Sequence, residues 1–226
     1  MSKRTLEMNR RRDRILAAAR KLISKQGYGN LTMRALAEAA DITVPTIYNL
    51  IGNKDAVVGA TIHEGTARFF ESVGSSANPV AILEKNVTEL LSQSAYYRPL
   101  LRALLHGEAR EAMAEIDALY LEHLHDSIEA LKQRGDLEPW VDPGILAERM
   151  LSNFFGAASE WASSVLSDAA LPVATSYDAS ITLAGVATDK GRARFQNRAR
   201  RLQKGTIESE RGRLRAGGLR SSGARR

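Results

Sequence analysis

The chain has 226 residues and a formal charge of +6, from 32 Lys+Arg against 26 Asp+Glu. A 44% hydrophobic fraction beside 26% charged residues excludes a largely disordered chain, and the length suffices to bury a substantial core. The charge is unevenly spread. Residues 1–25 hold nine Lys+Arg and two acids (+7), residues 26–189 ten and 22 (−12), and residues 190–226 thirteen and two (+11). A uniformly basic, histone-like protein is thereby excluded. Basic ends around an acidic middle point to local contact with something anionic, nucleic acid or a membrane surface. Without cysteine there are no disulfides, thiolate nucleophiles or Cys-ligated zinc. No apolar run follows the basic start, and the most apolar window, 152–166, is too short to span a bilayer and contains Glu160. A cytoplasmic protein with no membrane partner is expected.

The predicted class is all-α, because no stretch sustains a two-residue apolar alternation and only six Pro occur. Residues 1–10 read as a basic arm. Ile15, Ala19, Leu22 and Ile23 form the stripe of a first amphipathic helix, which stops at Gly27. Thr32 is placed to cap a short second helix over 33–40. Asp41, Ile42 and Thr43 make a turn, and Pro45 suits the first turn of a third helix ending near Ile51. Asn53 is placed to cap a fourth, running to about Val73. The Gly74–Pro79 stretch is the clearest break, so residues 11–73 and 79–204 are predicted as two domains. Helices are predicted over 80–95, 97–107, 109–134, 143–167, 175–188 and 190–204. Residues 205–226, rich in Gly, Ser and Arg, read as a basic disordered tail.

Two short helices joined by a tight turn over 33–51 have helix-turn-helix geometry. Leu36, Ala37 and Ala40 share a face of one helix, and Ile47 and Ile51 share a face of the other. Turning about 100° per residue from Ile47 leaves Pro45, Thr46, Tyr48 and Asn49 facing away from that core. They are uncharged and small, polar or aromatic, as a helix reading base edges requires. Arg34, Lys54 and the cations ahead of the first helix (Lys3, Arg4, Arg10, Arg11, Arg12, Arg14) surround them, placed for phosphates.

The run from Gly27-Tyr28 through 31–40, then Ile42-Thr43-Val44-Pro45-Thr46-Ile47-Tyr48, then Asn53-Lys54, resembles the TetR/AcrR family of transcriptional regulators. The resemblance covers about residues 11–73. It implies a homodimeric repressor of a palindromic double-stranded DNA operator, released when a small-molecule effector binds a C-terminal helical effector-binding and dimerisation domain. No enzymatic activity and no cofactor or metal are expected. Carried over by position, Thr32 and Arg34 touch the DNA backbone, and Thr43, Val44, Pro45 and Thr46 meet bases or phosphate. Tyr48 and Lys54 contact phosphate. The chain departs from the family at Leu50 and Ile51, where an aromatic or His and then Phe are usual. Leu50 cannot bond a phosphate, and Ile51 changes a core filler.

In the C-terminal region, Ala157, Ala158, Trp161, Ala162 and Val165 share one helix, and Leu183 and Ala184 another. These faces fit either a four-helix interface between two copies or packing within one subunit, and the resemblance favours the interface. Cavity candidates are Tyr97, Met113, Tyr120 and Phe154 for the walls, with Arg102, His106 and Asn153 as polar anchors. Ordinary core or surface placement is the competing reading for each. The rival function is an all-α small-molecule-binding protein or enzyme with incidental DNA affinity. Among four His, His63-Glu64 lacks the second His of a zincin motif, and His123 and His125 point to different sides of a helix. The tail has Leu214 and Leu219 but no aromatic residue after Phe195, which ranks a membrane-surface helix low.

Overall fold

The computed structural model describes residues 3–74, 78–105 and 110–204. These form ten helices and no strand: α1 (Lys3–Gln26), α2 (Met33–Ala40), α3 (Val44–Leu50), α4 (Lys54–Val73), α5 (Pro79–Ser92), α6 (Ser94–Leu105), α7 (Arg110–Gln133), α8 (Pro143–Ala162), α9 (Ala170–Gly185) and α10 (189–204). His106 and the 205–226 tail lie outside the described residues.

Local chemistry explains most boundaries. The Thr32, Asn53, Asn78 and Asp142 side chains each accept a backbone N–H three residues on, capping α2, α4, α5 and α8. Prolines open α3, α5 and α8 in their first turn, where no intrahelical N–H is lost. Three boundaries differ from expectation by more than one helical turn. The predicted N-terminal arm is helical, because residues 3–14 contain neither Gly nor Pro and α1 runs on from its buried half. Helix α8 stops at Ala162 rather than 167, with Ser164 in the left-handed region at φ 63°. Helix α9 starts five residues early, since Pro172 falls within its first turn.

Two apolar cores result. The smaller gathers Ile15, Leu16 and Ala19 of α1 with Leu36, Ala37 and Ala40 of α2, Ile47 of α3 and Val57 of α4. The larger joins the rest of α4 to α5–α10 and includes Ile23 and Tyr28. The two cores therefore meet along α1 and α4, each of which contributes to both. Helix α7 lies against α4 and α8, α5 against α9, and α6 against both α1 and α8. Arg98 of α6 lies 4.5 Å over the Trp161 ring and donates to the Trp161 carbonyl, while Trp161 Nε1 donates to Asp168. Arg98 donates to the Asp168 carboxylate as well, and the Trp161 and Arg98 hydrogen bonds to Asp168 hold its carboxyl below its usual range.

Helix α10 is fastened by a buried acid. Asp136 is 5% exposed and faces Arg194 at 3.2 Å, Arg134 at 3.6 Å and Lys190 at 3.9 Å. The Asp136 carbonyl also comes so close to Gly191 that a Cβ there would lie 2.3 Å away. Gly191→Ala is therefore expected to lower the unfolding free energy by about 1–3 kcal/mol in urea titration, despite alanine's better helix propensity.

Candidate nucleic-acid interface and adjoining cavity

The α2–turn–α3 corner is set by backbone chemistry at Asp41. Its φ of 52° is left-handed, its N–H bonds the Glu38 carbonyl, and the Ile42 N–H bonds the Ala37 carbonyl at 3.0 Å. This is the Schellman arrangement, and half-buried Ile42 packs on the small core. Arg14 of α1 donates to the Asp41 carbonyl at 3.1 Å and places a cation at the C-terminus of α2. Thr43 Oγ1 and Thr46 Oγ1 lie 2.8 Å apart across the first turn of α3.

With Ile47 wholly buried, the opposite side of α3 faces solvent. Thr43, Pro45, Tyr48 and Asn49 are exposed, Tyr48 at 52%. Thr32 and Arg34 are exposed at the start of α2, and Thr46 is half-buried. Val44, placed in the sequence with the DNA contacts, is half-buried against the small core, as are Leu50 and Ile51. Lys54 has a fixed position: its Nζ lies 3.9 Å over the Tyr28 ring, whose hydroxyl donates to Asp55 at 2.5 Å. Tyr28, 5% exposed, is a positioning platform that the sequence reading used only as a landmark. The first three turns of α1 add Lys3, Arg4, Arg10, Arg11, Arg12 and Arg14, all exposed.

The cavity lies between α4–α8. Tyr97, Met113, Tyr120 and Phe154 line it, as expected. So do Ile62, Thr66 and Phe69 of α4 and Asn86 and Glu89 of α5, which the sequence reading missed; their spacing of three or four residues on one helix face is the signal that marks them. Buried Asn86 donates its amide to Tyr120, and burial pushes the Tyr97 and Tyr120 phenols well above their ordinary value. Both stay protonated at neutral pH. The space is about 50 Å³, filled in by rings of Phe69, Tyr120, Phe154 and Phe155.

Two expected anchors are elsewhere. Arg102 donates its Nε to the Ala162 carbonyl at 2.8 Å beside a recess at Gly27–Gly29, and Asn153 is on the exposed face of α8. A corresponding shift affects the expected dimer face. Ala157, Ala158, Trp161, Ala162, Leu183 and Ala184 are each 8% exposed or less within this one chain, and exposed Val165 lies beyond the end of α8. Small apolar residues mark a buried face, and here the burying partner is the chain's own core. Outward on α8 and α9 lie Ile145, Arg149, Ser152, Gly156, Glu160 and Ile181, with half-buried Tyr177 and Asp178. Desolvation, and secondly Glu160, raises the Asp178 carboxyl above its usual value. His123 stacks on Phe70 and donates Nδ1–H to the Leu119 carbonyl, while His125 faces Asp126. Among the described residues no three His, Cys, Asp or Glu are grouped to hold a metal.

Residues 15–61 match the sequence profile of the family described as bacterial regulatory proteins, tetR family. The chain carries a TetR-family N-terminal domain. It is 33% identical over 118 residues to the HTH-type transcriptional repressor KstR of Rhodococcus jostii (strain RHA1), 47% of this chain and 53% of that protein. The chain thus spans about half the length of that curated relative. The fold extends the likeness further. The fatty acid degradation regulator FadR from Bacillus halodurans superposes with a TM-score of 0.64 at 19% identity, over 77% of this chain and 98% of that one. The Thermus thermophilus FadR, a TetR-family transcriptional repressor in complex with lauroyl-CoA, gives 0.57 at 21% identity, over 77% and 94%.

Asp41 occupies a left-handed position and places an anion at a helix C-terminus, both unfavourable. Asp41→Gly is expected to raise the unfolding free energy by about 0.5–1 kcal/mol in thermal denaturation.

Proposed function

We propose that this chain is a ligand-responsive DNA-binding transcriptional regulator: a cytoplasmic homodimeric repressor of a palindromic operator, released by a small-molecule effector. The observation that carries the reading is the TetR-type corner itself. Ile47 is buried while Thr43, Pro45, Tyr48 and Asn49 are exposed, with exposed Arg34 on α2 and Lys54, held over the Tyr28 ring, at the start of α4. Such a surface supplies hydrogen-bonding and apolar groups for base edges, and charge for phosphates. The DNA-reading unit is assigned to residues 11–73 and effector binding and pairing to residues 79–204. The basic 205–226 tail is assigned to nonspecific phosphate contact. KstR and the two FadR proteins, named as regulators or repressors, support the reading. The effector has an apolar body, because the cavity walls are chiefly aliphatic and aromatic. The lauroyl-CoA held by the Thermus relative is a molecule of that kind.

For pairing, the outward face of α8 and α9 replaces the buried residues first expected. A Cβ added at Gly156 or Gly185 meets nothing within 4 Å, so both positions leave room for close helix approach between copies.

Two experiments test this reading. On a duplex selected from random sequence, Tyr48→Ala and Lys54→Ala are each expected to weaken binding about tenfold with unchanged circular dichroism. Unaltered affinity contradicts the assignment of α3. In light scattering the chain is expected at twice its 24.7 kDa mass, and Gly156→Glu at the monomer mass with its helix content intact. Dimers that survive Gly156→Glu contradict the proposed face.

A further inference from the structure

A second, polar recess of about 400 Å³ opens beside the apolar cavity. Ile62, Gly65, Phe69, Glu89 and Tyr97 line both spaces. At Gly65, which lines both, an added Cβ would lie 3.8 Å from the Tyr97 hydroxyl. Arg20 of α1 and Arg68 of α4 line the recess, and Glu64 joins them, accepting from Arg20 at 2.6 Å and from Arg68 at 2.7 Å. Each of these bonds uses one of five guanidinium N–H donors. The other carboxylate of the recess, Glu89, accepts from the Gln93 amide. Two guanidinium groups thus face two carboxylates here, and each guanidinium retains N–H donors beyond the bond to Glu64. Arg20 is also only 26% exposed, which strengthens charge-assisted bonds to it.

We propose that recess and cavity form one binding site for an amphipathic anion, its charged head on Arg20 and Arg68 and its apolar body in the cavity, with Arg20 coupling that head to the DNA-reading unit. The coupling rests on the function proposed above; the binding does not. Arg20 sits on α1 between Ile15–Ala19, in the small core, and Ile23, in the large one. An anionic head competes with Glu64 for Arg20 and so loosens a tie between α1 and α4.

Calorimetric titration of the full chain with dodecanoate, lauroyl-CoA, dodecanol and dodecyltrimethylammonium, all below micelle formation, tests the site. The two anions are expected to bind at least about tenfold more tightly than the alcohol, and the cation more weakly still. Arg20→Gln and Arg68→Gln are expected to cost about tenfold for the anions and nothing for dodecanol. Glu64→Gln breaks the same α1–α4 ion pair but frees both guanidinium groups, so it is expected to raise anion affinity. A purely structural bridge would make Arg20→Gln and Glu64→Gln act alike. Parallel losses, anions bound no better than dodecanol, or no anion binding overturns the proposal. On the selected duplex, the anions should release the wild-type chain but not Arg20→Gln. If no duplex is selected, the function proposed above fails while the calorimetry still decides the site. If DNA binds and the anions do not release it, the coupling fails alone.

Discussion

Helix α4 belongs to two cores at once, and this constraint organises the molecule. Val57 and Ala60 face the small core that holds the helix-turn-helix, while Val58, Ile62, Phe69 and Phe70 enter the large core. Ile62, Thr66 and Phe69 also form cavity wall. A rigid rod shared in this way cannot shift at the cavity without moving the small core, because close-packed interiors transmit displacement. Its N-terminal end is pinned by Asn53 and by Lys54 on Tyr28. Its middle is tied to α1 through Glu64 and Arg20. Sequence makes the rod, through a cap at one end and a three-to-four-residue apolar spacing along it. Packing then makes it the link between reading and sensing.

The cavity is in a contracted state. Its free volume of about 50 Å³ holds little beyond one or two waters, well below the roughly 300–1,000 Å³ of sites for drug-sized ligands. An effector of the kind proposed would have to select a wider state, in which rings such as Phe154 and Phe155 have turned or α4 has moved against α7. Ligand affinity for that state, minus the cost of reaching it, sets how far the population shifts. On the proposed function, the acidic middle of the chain disfavours phosphate contact there and favours it at the basic ends.

What could be read from the sequence was what depends on near neighbours. The caps at Thr32 and Asn53, the turn at Asp41–Thr43 and the outward set on α3 follow from spacings of a few residues, and the structure places them accordingly except for half-buried Thr46. Four of the seven expected cavity residues line the cavity because large apolar groups on α6–α8 have nowhere else to go. The residues expected at a dimer face are buried within the chain for a definite reason. Periodicity tells which side of a helix is buried, not what buries it, and the small residues around Trp161 admit the chain's own helices. Arg102 and Asn153 failed as anchors because a polar side chain one helical step from an apolar wall turns away from it. The Arg20–Glu64 tie spans 44 residues, and no local pattern announces it.

The central claim, that two copies present paired reading helices to a duplex, is tested most directly by hydroxyl-radical footprinting on a sequence selected from random DNA. Two protected backbone segments on one face of the duplex, related by two-fold symmetry and separated by about one or two helical turns, are the predicted result. A single asymmetric footprint, or protection spread evenly along the duplex without regard to sequence, would contradict it.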